Sequence, residues 1–251
     1  MGTIHQYFIS QVEAMTMRLD IYLVEIAGSR SKAVHLIKSG KVMVNGAVCR
    51  KQSYRVKPSD RVEIVEGFRY VSRGGYKIEA LFQGRSDEIR GLSVLDVGCS
   101  AGGFSDFFLQ HGAARVWGID IAEGCVDPAM LSDPRFRFTG GLDARSSEEL
   151  VKHLGDERFD LISVDVSNVS LRDVLPNLRR FLKRDGRIVA LFKPPYEIDG
   201  GHREADAERA RSSFERWLEP EFEVVHSCPS PIRGGPKNRG TIEYLYLLRA
   251  R

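Results

Sequence analysis

The sequence predicts a doubly wound α/β sheet preceded by a small, basic α+β module, and three observations carry that reading. From residue 93 onward short apolar runs alternate with helical patterns, as the strands and crossover helices of a parallel sheet do. A glycine-rich turn, "VGCSAGG" at 97–103, joins the first of those runs to a helix. Residues 1–85 hold 14 Lys+Arg against 7 Asp+Glu, whereas 86–251 hold 23 against 27. A basic front on a mildly acidic remainder suits a polyanion-binding appendage, and equally an ordinary solvated surface.

The 251 residues leave room for a compact module and a larger catalytic domain. With 42% hydrophobic and 28% charged residues the chain is expected to fold as a globule. No apolar run approaches the roughly 18–20 residues of a membrane helix, and no basic-then-apolar leader is present, so a cytoplasmic place is expected. Cys49, Cys99, Cys125 and Cys228 lack the paired spacing of zinc or redox sites, so no metal is expected.

At the front, "RLDIYLVEIA" at 18–27 sets Leu19, Tyr22, Leu23 and Ile26 on one helical stripe. A second helix follows in "GSRSKAVHLIKSG", with Ser29 as cap, Ala33, Leu36 and Ile37 as apolar face, and Gly40 as stop. Alternating "VMV", the hairpin dipeptide Asn45-Gly46 and a closing "RVEIV" then predict a small sheet. This run resembles the S4 RNA-binding module in its ordered R-L-D, S-R-x-x-A, L-I-x-x-G-x-V-x-V-N-G and closing D-x-V signals. The resemblance implies an S4 domain over 17–66, with Arg18, Arg30, Lys32, Lys38 and Lys41 facing RNA backbone. Residues 1–16 are expected to be an extension, with Met15 or Met17 as a possible functional start.

The larger domain begins its strands with "SVLDV", whose turn carries Gly98, Ser100, Gly102 and Gly103 into the helix "FSDFFLQHG". About twenty residues on, "ARVWGID" ends at Asp120, placed for ribose hydroxyls as in nucleotide folds. The spacing departs from the dinucleotide fingerprint, and the carboxylate of Asp96 would repel a pyrophosphate while tolerating a sulfonium and an amine. Further strands end near Asp143, at Asp165 and at Lys193, and "EFEVVHSCPSP" and "TIEYLYLL" close the sheet.

The segment "LFKPPYE" at 191–197 has two readings. A "PPY" at a strand end resembles the (N/D)PPY of amino-methyltransferases that act on bases, yet Lys193 is a donor where they have an acceptor. There the motif follows the fourth strand, and here it follows the fifth, so its prolines read as a rigid strand exit that fixes Lys193.

"YVSRGGYK", "VLDVGCSAGGFSDFFLQHGA", "DVS", "KPPYE" and "SPIRGG…IEYL" together resemble the TlyA family, called hemolysin A in older usage. The resemblance implies an S4 domain fused, through a linker at 67–76, to a Rossmann-like FtsJ/RrmJ-type methyltransferase domain over 77–251. It implies methyl transfer from S-adenosylmethionine to ribose 2′-hydroxyls of ribosomal RNA, as naked RNA or in ribosomal subunits, by Lys77, Asp165, Lys193 and Glu243. Lys193 is expected to deprotonate or align the hydroxyl, and Lys77 to tune it with Asp165 between them. As a proton acceptor, a lysine must have its pKa lowered from roughly 10.4 by burial and a like charge. Gly98, Ser100, Gly102, Gly103, Asp120 and Asp143 are the implied cofactor contacts, and Asp96 fixes either the loop or the amine. Arg73 and the glycines of "EGFRYVSRGG" suit an RNA-contacting hinge or a plain linker. A base amino-methyltransferase and a membrane-lytic protein are the competing readings; the second requires an amphipathic or spanning segment that the sequence does not offer.

Overall fold

The computed structural model describes residues 17–45, 47–64, 69–197, 204–233 and 241–251, and the chain divides into two compact units, Met1–Phe68 and Arg69–Arg251. Residues 1–16, with the expected extension and Met15, lie outside the described residues, and Met17 opens the first strand.

In the first unit β1 (Met17–Arg18) leads into α1 (Leu19–Tyr22), α2 (Val24–Ala27) and α3 (Arg30–Lys38). The single helix expected over 18–27 is thus two short turns that meet at Leu23. Gly28 and Gly40 end α2 and α3 with left-handed backbones of φ 75° and 80°, which glycine adopts without a Cβ penalty. The chain continues as β2 (Val42–Val44), β3 (Ala47–Val48), β4 (Arg55–Val56) and β5 (Val62–Ile64). Strand β4 pairs with β1, and β3-β2-β5 form an antiparallel sheet. Asn45, at φ 52°, opens the tight β2–β3 turn. Leu19, Leu23, Ala33, Ile37, Val42, Val44 and Val56 form one small core.

The second unit opens with α4 (Arg73–Leu81), capped by Ser72, whose hydroxyl accepts from the Gly74 N–H at 3.3 Å. Most of the expected linker 67–76 therefore belongs to this unit: Tyr70 is 1% exposed and packs on Phe107. There follow β6 (Ser93–Val97), α5 (Gly103–Gln110), β7 (Arg115–Ile119), α6 (Pro128–Leu131) and β8 (Phe136–Thr139). Next come α7 (Ser147–Leu154), β9 (Phe159–Val164), α8 (Leu171–Leu178) and β10 (Leu182–Phe192). The chain closes with α9 (Glu204–Leu218), β11 (Phe222–Pro229) and β12 (Tyr244–Ala250).

These strands form one seven-stranded sheet in the order β11-β12-β10-β9-β6-β7-β8. Neighbours from β10 to β8 pair in parallel, and β12 runs antiparallel to β10 and β11. Alternate strand residues feed two cores: Leu95, Ile162 and Leu248 pack with α7, α8 and α9, while Val94, Leu161 and Leu247 pack with α4 and α5. After β6 the chain winds outward to β7 and β8, then returns to β9 on the other side of β6. That reversal makes the carboxyl ends of β6 and β9 a topological switch point, where ligands of such sheets bind.

Candidate active site

A cavity of about 530 Å³ lies at this switch point, within the range of small-molecule sites. Its floor is the turn between β6 and α5. Gly98 is left-handed at φ 76°, and a Cβ there would stand 2.8 Å from the Asp165 carbonyl oxygen, so glycine is required by conformation and by space. Ser100 is held at φ 49°, with its N–H donating to Asp120 Oδ2 at 2.8 Å; the Ala122 N–H reaches Asp120 Oδ1 at 2.9 Å. Asp120 thus fixes the turn from the end of β7.

Asp96 is fully buried inside β6. Its Oδ2 accepts from the Ser105 N–H at 3.1 Å and hydroxyl at 2.6 Å, and its Oδ1 from the Ser163 hydroxyl at 2.7 Å. Burial pushes its carboxyl up to about 6, against the pull of those hydrogen bonds and helped by the negative charge of Asp165. Of the two roles expected for Asp96, this geometry displays the loop-fixing one, because three of its contacts tie β6 and β9 to the first turn of α5.

Two lysine–carboxylate pairs form the wall. Lys193, 5% exposed at the exit of β10, pairs with Asp165 Oδ1 at 2.5 Å and donates to the Val166 carbonyl at 2.7 Å and the Ser167 hydroxyl at 3.0 Å. Lys77, on the second turn of α4, pairs at 2.6 Å with Glu243, which stands just before β12 and is 1% exposed. Asp165, expected between the two lysines, forms its ion pair with Lys193, and Lys77 pairs with Glu243. Each lysine thus pairs with a carboxylate of its own: Lys77 of α4 with Glu243 before β12, and Lys193 after β10 with Asp165 after β9.

Lys77 is brought to the cavity by a close meeting of helix starts. A Cβ on Gly103 would come within 2.1 Å of Ser72 Oγ, 3.0 Å of Gly75 N and 3.1 Å of Gly74 Cα. A Cβ on Gly75 would fall 2.1 Å from the Tyr70 ring. The glycines of "SRGGYK" therefore serve packing rather than a hinge.

Lys77, Asp96, Gly98, Ser100, Gly103, Asp165, Lys193 and Glu243 line the cavity, as does exposed Arg73. Gly102 turns away, since a Cβ there would meet Met130 Cγ at 2.8 Å. Asp120 stands behind the lining, and Asp143 has another partner: the Arg145 guanidinium grips its carboxylate at 2.6 Å and holds its pKa below the usual range. Sequence reasoning missed Ser72, Cys99, Ser167, Asn168 and Tyr196 as lining residues. Ser167 closes the motif "DVS" and Asn168 directly follows it, with a left-handed φ of 63°.

Of the residues expected to face RNA in the first unit, Arg18 and Arg30 both grip buried Asp20, at 2.9 and 2.8 Å. Burial pushes the Lys41 ammonium down to about 8. The Lys38 carbonyl accepts from Arg50 at 3.0 Å, and the Lys32 side chain lies outside the described residues.

Comparison with known proteins matches residues 70–249 to the FtsJ-like methyltransferase model and 17–62 to the S4 domain. Hemolysin A of Brachyspira hyodysenteriae is 31% identical over 91% of this chain and 98% of its own. The 16S/23S rRNA (cytidine-2′-O)-methyltransferase TlyA of Mycobacterium tuberculosis is 32% identical over 94% and 91%. The chain belongs to the TlyA family of FtsJ-like methyltransferases. A solved structure titled a putative hemolysin, from Streptococcus thermophilus, superposes with a TM-score of 0.70 at 29% identity, covering 94% of this chain and 88% of its own. The hemolysin titles notwithstanding, no helix among the described residues of this TlyA-family chain is long and apolar enough to cross a membrane.

Proposed function

We propose that this protein transfers a methyl group from S-adenosylmethionine to the 2′-hydroxyl of a cytidine in ribosomal RNA, in the cytoplasm, with its S4 domain supplying part of the RNA affinity. The observation that carries the reading is the two lysine–carboxylate pairs, each with one buried partner, beside a glycine turn at the switch point of the sheet.

The residues present fit the cofactor. Gly98 lets the β6–α5 turn lie against the Asp165 backbone beside the cavity, Asp120 holds that turn and keeps lone pairs for ribose hydroxyls, and the Asp96 and Asp165 carboxylates in the lining suit a cation. Gly98, Ser100 and Gly103 would hold the cofactor from below, with Gly102 and Asp120 shaping the turn. Asp143 would assist only on release from Arg145. When bound, S-adenosylmethionine supplies an electrophilic methyl on a sulfonium, which needs only an aligned nucleophile.

A ribose hydroxyl is a poor nucleophile, so the protein must orient it and take its proton. In its amine form, one ammonium proton having passed to solvent, Lys193 accepts that hydrogen bond and then the hydroxyl proton as the methyl transfers, and Asp165 fixes the direction of its Nζ. Lys77, held by Glu243 just before the strand that pairs with β10, orients the nucleotide from the same wall as Lys193. Arg73, at the cavity rim, meets phosphates near the reacting nucleotide, and within the first unit Lys38, Lys41 and the outer edges of Arg18 and Arg30 meet others.

The test is methyl transfer from labelled cofactor to small subunits, large subunits and naked RNA, with Lys193→Ala as control. Label on ribose and a loss of about 10²–10⁴-fold in the variant are expected. Label on a base amino group, or a fully active variant, overturns the reading.

A further inference from the structure

The last residue of "KPPYE" has no part in the mechanism above, yet its side chain is as withdrawn from water as those that do. The Glu197 side chain is 1% exposed. Its Oε2 accepts from the Ser170 hydroxyl at 2.7 Å and its Oε1 from the Leu171 N–H at 2.8 Å, with Arg172 Nε 3.9 Å away. A buried carboxylate is costly unless hydrogen-bonded, and here a helix start and a guanidinium compensate it. Burial pushes its carboxyl up, and the Leu171 N–H, the Ser170 hydroxyl and the Arg172 charge pull it back.

Two short segments run side by side at this point, 165–171 and 193–197. At the cavity end Lys193 joins them, through Asp165, Val166 and Ser167. At the rear end Glu197 joins them, through Ser170 and Leu171. Between the two joints the first segment is exposed at Ser167 and Asn168, and Asn168 is left-handed. The second is stiffened by Pro194 and Pro195, with the Tyr196 N–H bonded to the Lys193 carbonyl at 3.0 Å and the Glu197 N–H to that of Pro194 at 3.1 Å. A stiff turn transmits the position of one end to the other. We infer that Glu197 is a positioning residue, clamping the Lys193 turn to the start of α8 and thereby setting where the Lys193 amine meets the substrate hydroxyl. The inference rests on the role proposed above for Lys193.

The experiment measures kcat, both KM values and the pH profile of ribose methylation for wild type, Glu197→Ala, Glu197→Gln and Ser170→Ala, together with their melting temperatures. Glu197→Ala is expected to lower kcat about tenfold or more while both KM values stay within about twofold, because misalignment acts on the reacting step. The midpoint of its pH profile should move by about half a unit or more, which a helix cap would not cause. Glu197→Gln keeps an acceptor for the Leu171 N–H and should recover kcat to within about threefold, with the midpoint restored. Ser170→Ala removes one joint without removing the carboxylate, and should lower kcat about threefold in the same sense even if Glu197→Ala does not fold. Unchanged kcat and midpoint in the folded variants, with only melting affected, overturn the clamp. A wild type that places no label on ribose overturns the proposed function and the clamp's role with it; ribose label undiminished in the variants overturns the clamp alone.

Discussion

Lys77 and Glu243 are 166 positions apart in the chain, and both are largely withdrawn from water, at 13% and 1% exposed. Removing one partner of such a pair leaves the other charge buried without its ion-pair partner, at about 3 kcal/mol. Glu243→Gln and Lys77→Met should each lower the melting temperature, by roughly 6–12 °C for a domain of this size. The double variant should recover most of that loss, because two neutral groups of similar volume replace two charges. Methyl transfer should nevertheless stay depressed by about a hundredfold in all three, since an orienting ammonium is absent or released. Calorimetry beside initial rates separates the two effects. A double variant that regains its rate would reduce the pair to scaffolding.

The first turns of α4 and α5 meet through glycines, and their contact brings Lys77 to the cavity. Gly103→Ala places a methyl group against the Ser72 hydroxyl and against the backbone of Gly74 and Gly75. Overpacking of this kind costs about 1–3 kcal/mol, and cofactor affinity should fall with it because Gly103 also lines the cavity. Adding Ser72→Ala should not rescue the variant, since the backbone contacts at 3.0 and 3.1 Å persist; thermal melts and cofactor titration decide this. The same contact explains what the sequence concealed. Strands were legible because each is a local apolar run, and the ends of β6, β9 and β10 placed Asp96, Asp165 and Lys193 correctly near one point. Helix α4 was not, because Ser-Arg-Gly-Gly reads as a flexible joint until Gly103, some thirty residues on, is known to press against it. Pairing partners were likewise hidden: nothing local tells that Asp143 turns to Arg145, or that Glu197 caps a helix 26 residues upstream.

Across the whole chain the two units divide the charge. Residues 1–68 carry 10 Lys+Arg against 6 Asp+Glu, and 69–251 carry 27 against 28, so attraction to RNA backbone belongs chiefly to the first unit. That unit is small, and part of its integrity rests on Asp20, whose carboxylate sits under Arg18 and Arg30. The Arg18 hydrogen bond first, then Arg30 and both positive charges, hold its pKa at about 2 in spite of burial. A folded pKa below the ordinary value of about 3.9 means that the ion pairs stabilise the unit fully above pH 4 and are lost as pH falls toward 2. With the guanidinium groups partly in water, the contribution is about 1–2 kcal/mol. Asp20→Asn should therefore destabilise the first unit at pH 7 and converge on wild type near pH 2, as read by amide exchange at Leu23, Ile37 and Val44. Trp117 and Trp217 both lie in the second unit, so their fluorescence melt should not change. RNA binding at pH 7 should weaken in the variant while cofactor affinity holds, because the segment 18–41 that carries the cations loosens and the cavity does not. Equal loss of both affinities would mean that the units do not act separately, and unchanged RNA affinity would move the electrostatic contacts away from α1–α3.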